Sequence, residues 1–195
     1  VVTPEDILRY WLDDVGPRGW YGGGADLDTE IREKFQETWL EAMEGACGLW
    51  LTYPAGTLAY IILTDQFPRN MFRDQGRAFA SDKSARAASK IAITRDWDLK
   101  IKEPARSFFY LPLVHSENLI DQDRAVRLIC TRMPDTGDGN LLHAKAHREV
   151  IRQFGRFPNR NAALGRPSTA PEQAYLDAGG YMTTVQMIEA RETAA

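Results

Sequence analysis

The sequence predicts an all-α fold, a helical bundle or a short α-solenoid of about eight helices with no sheet. Three observations carry that reading. Apolar residues recur at three- and four-residue spacing along most of the chain. No segment sustains the period-two alternation with β-branched residues that marks a half-buried strand. Proline, glycine and capping residues fall where helix ends need them, and the turns lack two-residue hairpin chemistry. At 195 residues and 22.0 kDa the chain fits a single helical domain over residues 1–178 with a helical extension over 179–195.

The elements follow in order. Thr3-Pro4-Glu5-Asp6 supplies an N-cap, a proline in the first turn and early acids, so a helix starts at Pro4 and runs to about Asp13. Residues 16–25 hold five glycines and a proline and read as loop. Asp28 is expected to cap the next helix, whose Ile31, Phe35, Trp39 and Ala42 share one face. Pro54 opens a third helix toward Gln66, and Pro68 is expected to break or kink the chain. Ser81 is the predicted cap of an alanine-rich helix to about Arg95. A short helix follows Pro104 through Phe108 and Phe109. Ser116 and then Asn140 are the predicted caps of the next two helices, the second ending at Gly155. Ser168 or Thr169 with Glu172 reads as a capping box, and a last helix covers about residues 182–191. No clean repeat of about 34 residues is visible, which makes the solenoid the weaker form of the prediction.

Composition narrows the function classes. The formal net charge is -3, which argues against general nucleic-acid binding. No apolar run approaches the roughly 18 residues of a membrane helix. Cys47 and Cys130 make no disulfide framework, so a reducing, cytoplasmic setting is expected. Of the 24 bases 18 are arginine and 6 lysine, and their placement is uneven. Residues 1–60 carry net -7 and residues 141–166 net +5. Arginine suits fixed ion pairs and bidentate oxyanion recognition because its guanidinium is a planar fork.

Three polar strings interrupt the amphipathic pattern. Asp65, Arg69 and Arg73 recur every four residues, with Gln66 and Asn70 between them. His115 and Glu117 bracket a helix start, where an imidazole is placed for acid/base work and Ser116 and Glu117 have ordinary capping duties. The third string holds His147, Arg148, Arg156, Arg160, Asn161 and Arg166, a donor-rich set fit for phosphate or carboxylate. Each string reads equally as a clasp of internal ion pairs. His143 and His147 have metal-ligand spacing, but no Glu follows His143 as in the zincin pattern, so no metal is assigned. There is no phosphate loop, nucleophile elbow or cofactor fingerprint, and no cofactor is assigned.

In these strings the chain resembles the bacterial family called domain of unknown function 924. The resemblance rests on Asp65-Gln66-Phe67-Pro68-Arg69-Asn70 with Phe72-Arg73, Tyr110-Leu111-Pro112-Leu113 with His115-Ser116-Glu117, and His147-Arg148. Phe154 through Asn161, Leu164-Gly165-Arg166 and Ser168-Thr169 complete it, over roughly residues 4–178. It implies an all-helical fold similar to tetratricopeptide-repeat proteins and brings no established activity, cofactor or substrate. Two departures stand out: Asn159 occupies the place of a family histidine, and His143 that of an apolar or aromatic residue.

The functional expectation is a pocket for a small anionic ligand, lined by Gln66, Arg69, Asn70, Arg73, Arg148, Arg156, Arg160, Asn161 and Arg166. His115, Glu117, His147 and Asp65 are the candidates for acid/base chemistry on that ligand. The alternatives are a protein-interaction scaffold of helical-repeat type, with Trp20, Tyr21 and Trp50 as contacts, and a purely structural role for the strings. No nucleic-acid or membrane partner is expected.

Overall fold

A computed structural model describes residues 1–194, and these are helical with no strand among them. The chain divides into two compact units, Val1–Pro112 and Leu113–Ala195.

The first unit begins with α1 (Pro4–Leu8), which Thr3 caps through a reciprocal box with Asp6. The helix widens into a π-helical stretch over Arg9–Val15. The glycine-rich segment expected to be loop instead starts with a helical turn, α2 (Gly16–Trp20), entered by Gly16 at a φ of 66°. A helix α3 (Ala25–Met43) follows and packs on α5, described below. Its N-cap is Gly24, not Asp28. Asp28 lies inside the first turn because its carboxylate is claimed by two distant side chains, Asn70 and Arg73.

The Pro68 break does not occur. Helix α4 (Pro54–Ile61) runs through a π-helical turn, Ile62–Gln66, straight into α5 (Phe67–Met71). Proline has no N–H to give the carbonyl four residues back, which here is that of Thr64. The widened turn lets the Phe67 N–H reach the Ile62 carbonyl instead. The Ser81 hydroxyl donates to the orphaned Thr64 carbonyl at 2.6 Å and accepts from the Trp39 indole at 2.9 Å. That employment explains a second correction. Ser81 precedes α6 (Asp82–Thr94) but makes no side-chain cap, because its hydroxyl is spent on the proline. The core around this join is aromatic. Phe67 stacks on Phe35 at 4.8 Å and meets Trp11 edge-on at 5.5 Å, and Trp20 meets Phe108 edge-on at 4.8 Å. Phe67 is fully buried, so its truncation to Ala costs about 3–5 kcal/mol.

The boundary between the units falls in α7 (Leu111–Val114). In the second unit α8 (Leu119–Arg132) packs on α9 (Asp138–Phe154). Both predicted caps shift. Asn118 caps α8 through the Ile120 N–H, because Ser116 is bonded to Asp121 at 2.8 Å. Helix α9 starts from Gly137, ahead of Asn140, and so places Asp138 in its first turn. Gly155 ends α9 in the left-handed conformation at a φ of 72°. The Thr169–Glu172 box forms and starts α10 (Ala170–Asp177). Finally α11 (Tyr181–Thr193) packs back on α9. Val150, Ile151 and Phe157 form a core cluster there, covered by Phe154, Tyr175 and Tyr181.

Candidate functional site

Each unit gathers part of the polar set. In the first, the continuous path from α4 to α5 keeps Asp65, Gln66, Arg69, Asn70 and Arg73 in helical register. Arg69 donates to the Asp65 carbonyl at 2.7 Å and to both Asp82 carboxylate oxygens at 2.8 and 3.0 Å. The Asp65 carboxylate lies 3.4 Å from the same guanidinium. Arg73 does not extend that ladder. It turns to Asp28 and grips the carboxylate with Nε at 2.7 Å and Nη2 at 2.9 Å. Asn70 donates to the same carboxylate at 2.8 Å and accepts from Gln66 at 3.0 Å. Burial opposes ionisation of Asp28, but the bonds from Arg73 and Asn70 outweigh it and hold its carboxyl below the usual range.

A cleft of about 130 Å³ opens over these groups, lined by Trp20, Tyr21, Gly23, Gln66, Arg69, Asn70 and Arg73. Trp20 is buried and donates its indole N–H to the Trp11 carbonyl at 2.7 Å. Tyr21 is 64% exposed. The sequence reading found the string from Asp65 to Arg73 but missed its partners Asp28 and Asp82. The i+4 spacing drew attention to Asp65 as partner for both arginines.

The second unit binds Glu117, Arg156, Asn161 and Arg166 into one network with Glu172. Arg166 grips Glu117 with Nη1 at 2.8 Å and Nη2 at 2.9 Å, donates from Nε to Asn161 at 3.0 Å, and reaches the Phe157 carbonyl at 3.1 Å. Glu117 also accepts the Phe157 backbone N–H at 2.8 Å. Burial raises the Glu117 pKa, and Arg166 with the Phe157 N–H more than reverses that, so it stays low. Asn161 donates to Ser168 and to Glu172. Arg156 grips Glu172 at 2.6 and 2.8 Å. That grip and the Thr169 N–H hold the Glu172 carboxyl down to about 2.

Beside this network stand the histidines. Arg160 lies over the Phe157 ring at 4.5 Å and donates to the His115 carbonyl at 2.9 Å. The His147 ring centre is 6.3 Å from that of His115, 5.4 Å from Phe157 and 4.8 Å from Tyr181. Its Nδ1 is 2.7 Å from the His143 carbonyl and 3.1 Å from the Tyr181 hydroxyl. Burial, with His115 and Arg160 close by, pushes the His147 pKa down to about 3, against the pull of the His143 carbonyl. Arg148 is placed differently from the others. It points to Asp123 of α8 at 3.4 Å and serves the α8–α9 contact. Glu172 and Tyr181 are the partners the sequence reading did not name. Glu172 was visible only as a capping-box acid, and Tyr181 falls just outside the helix that the sequence predicts over about residues 182–191.

Among the described residues no group of three or more His, Cys, Asp or Glu side chains is arranged to hold a metal ion. No helix is long and apolar enough to cross a membrane. No curated protein matches the sequence. A solved structure of a protein of unknown function from Agrobacterium tumefaciens, ATU0120, is similar at 36% identity with a TM-score of 0.84. The similarity covers 90% of this chain and 97% of that one. Residues 7–180 match the family described as bacterial protein of unknown function (DUF924), with the polar strings inside the matched span. The chain belongs to the DUF924 family.

Proposed function

We propose that the first unit binds the head group of a small anionic ligand in the cleft over Gln66, Arg69, Asn70 and Arg73. The observation that carries this reading is the set of donors left over once the internal pairs are made. Arg73 spends Nε and Nη2 on Asp28, and its side chain is 54% exposed. Arg69 spends Nη1 and Nη2 on Asp65 and Asp82. Nη1 of Arg73, Nε of Arg69 and one amide proton each on Gln66 and Asn70 have no partner among the described residues. Ligand pockets for whole organic molecules usually hold about 300–1,000 Å³. A cleft of about 130 Å³ fits one carboxylate or phosphate group with the rest of the molecule outside. Asp28, Asp65 and Asp82 outnumber the two cations by one, so recognition rests on the open N–H groups and not on net charge.

Calorimetric titration with inorganic phosphate and with acetate tests the reading. Each lost charge-assisted bond is worth about 1.5–3 kcal/mol, so Arg73→Gln should weaken binding at least about tenfold. Gln66→Leu should weaken it less, because its bond is neutral. Unchanged binding in both variants removes the proposal. The network of Glu117, Arg156, Asn161, Arg166 and Glu172 is assigned to structure, since its guanidinium forks are already closed on carboxylates.

A further inference from the structure

A second cavity of the first unit has the opposite chemistry to the anion cleft. It holds about 260 Å³ and lies between α4, α6 and the 3₁₀ turn Gly48–Thr52. Leu51, Tyr60, Ala87, Ala88, Ile91 and Trp97 supply most of its lining. Ser84, Ala87, Ala88 and Ile91 are spaced i, i+3, i+4 and i+7, so one face of α6 makes the floor. The opposite wall is held in place by close packing. A Cβ on Gly56 would lie 2.5 Å from the Trp50 carbonyl oxygen and 2.6 Å from the Tyr53 ring. The hydroxyls of that wall are already spent. Thr57 donates to the Trp50 carbonyl at 3.3 Å, and Tyr60 is buried with its hydroxyl bonded to Ser84. Residues 48–64, which build the wall, contain no charged side chain. Water gains few hydrogen bonds in such a space, whereas an apolar group gains burial. Ile91 stands at the edge, 52% exposed, and also lines an adjoining cavity of about 220 Å³ with Lys90, Thr94 and Arg95.

We propose that this trough binds a medium-chain carboxylate, with its hydrocarbon chain in the apolar cavity and its head group beside Arg95. Charge selects the head group. Residues 83–95 carry Lys83, Arg86, Lys90 and Arg95 and no acid. Of the acids that flank them, Asp82 is gripped by Arg69 and Asp98 accepts the Tyr110 hydroxyl, which leaves Asp96 exposed. Arg95 lies over the Trp97 ring at 4.9 Å, and its guanidinium makes no hydrogen bond or ion pair among the described residues. A cation stacked on the cavity's own wall thus stands where a chain leaving over Ile91 ends. Size selects the tail. The cavity is smaller than the roughly 300–1,000 Å³ of pockets for whole organic molecules, so it takes one chain. No residue of the anion cleft is used here, and the inference stands or falls without that reading.

The test is methyl NMR of the intact protein with labelled isoleucine, Ile91→Val assigning the Ile91 signal. Hexanoate and octanoate should move that signal, and acetate, the probe of the other cleft, should not. Burial of one methylene changes affinity by about fourfold, so octanoate should bind roughly sixteenfold tighter than hexanoate. No movement by octanoate, or an affinity independent of chain length, overturns the proposal. Ala87→Phe fills the cavity from an exposed position and should weaken octanoate at least about tenfold, since the chain loses its burial. An unchanged response in that folded variant places the chain elsewhere and rejects the site. Octylammonium should bind more weakly than octanoate, and equal binding rejects the anionic head group. Arg95→Gln should weaken octanoate by about two- to fivefold, the range for an exposed ion pair, and should not weaken octylammonium. An equal loss for both ligands shows that Arg95 acts by packing and also rejects the head-group assignment.

Discussion

The two units use the same piece of chemistry, a carboxylate gripped by both arms of a guanidinium, to different ends. Arg73 holds Asp28 in the first unit and Arg166 holds Glu117 in the second. Arg166 then commits its third nitrogen to Asn161 and a further bond to the Phe157 carbonyl, and its side chain is 23% exposed. Arg73 keeps one nitrogen open and is 54% exposed over a cleft. The difference teaches how to separate a clasp from a site in an arginine-rich chain. An arginine closed on every nitrogen fixes the backbone, and one closed on two of three can meet a ligand while the internal carboxylate holds its geometry.

The sharpest way to break the comparison is to remove the carboxylate of the closed pair. Glu117→Ala strands Arg166 and the Phe157 N–H together. Breaking a fully buried pair costs about 3–5 kcal/mol. Both side chains here keep part of their water, so about 2–3 kcal/mol is expected, read from urea denaturation followed by circular dichroism. Phosphate titration should not change. A loss below about 0.5 kcal/mol would make the second network ornamental and end its contrast with the first.

Acid titration separates the histidine from the carboxylates. His147 has a folded pKa of about 3 against an unfolded value near 6.5, so the unfolded chain binds the extra proton first. Its contribution to stability is complete above about pH 6.5 and falls by up to about 1.4 kcal/mol per pH unit as pH drops from there toward 3. Asp28 and Glu117 have depressed folded pKa values, so their contributions persist above about pH 4.3 and fade below it. Stability measured from pH 7 to 5 should therefore slope in the wild type and flatten in His147→Gln. The slope below pH 4 should survive in that variant. Identical slopes from pH 7 to 5 in the two proteins would show that His147 titrates normally.

Much of this was legible in the sequence. The all-α class followed from periodicity, and the Thr3 and Thr169 caps and the Gly155 stop followed from local chemistry that acts within four residues. Two of the misses share one physical cause, a polar side chain recruited over a long sequence separation. Ser81 was read as a cap and is a repair for the proline at 68, 13 positions away. Asp28 was read as a cap and is the anchor of Arg73, 45 positions away. Local pattern shows what a serine or aspartate can do for its own turn. It does not show when a distant orphaned carbonyl or guanidinium makes a better offer. The same limit applies to the arginines: their excess was countable, but which kept an open nitrogen depended on partners such as Asp28, Asp82 and Glu172.

The finest discrimination comes from Asp28→Asn. The substitution keeps the shape of the side chain and removes its charge, loosening the grip of Arg73 without emptying the cleft. Folding stability should fall by about 1–2 kcal/mol, the range for a charge-assisted bond that becomes neutral. Phosphate affinity should move the other way. An anion bound about 6 Å from Asp28 in a wet cleft feels a repulsion of roughly 0.7 kcal/mol, so neutralising the aspartate should raise affinity roughly threefold. That opposite movement is the signature of a site whose cation is held in check by an internal acid. In a clasp, stability and affinity have no reason to diverge. If calorimetry shows phosphate binding weakened along with stability, Asp28 positions Arg73 more than it competes with the ligand, and the two gripped carboxylates are more alike than their exposures suggest.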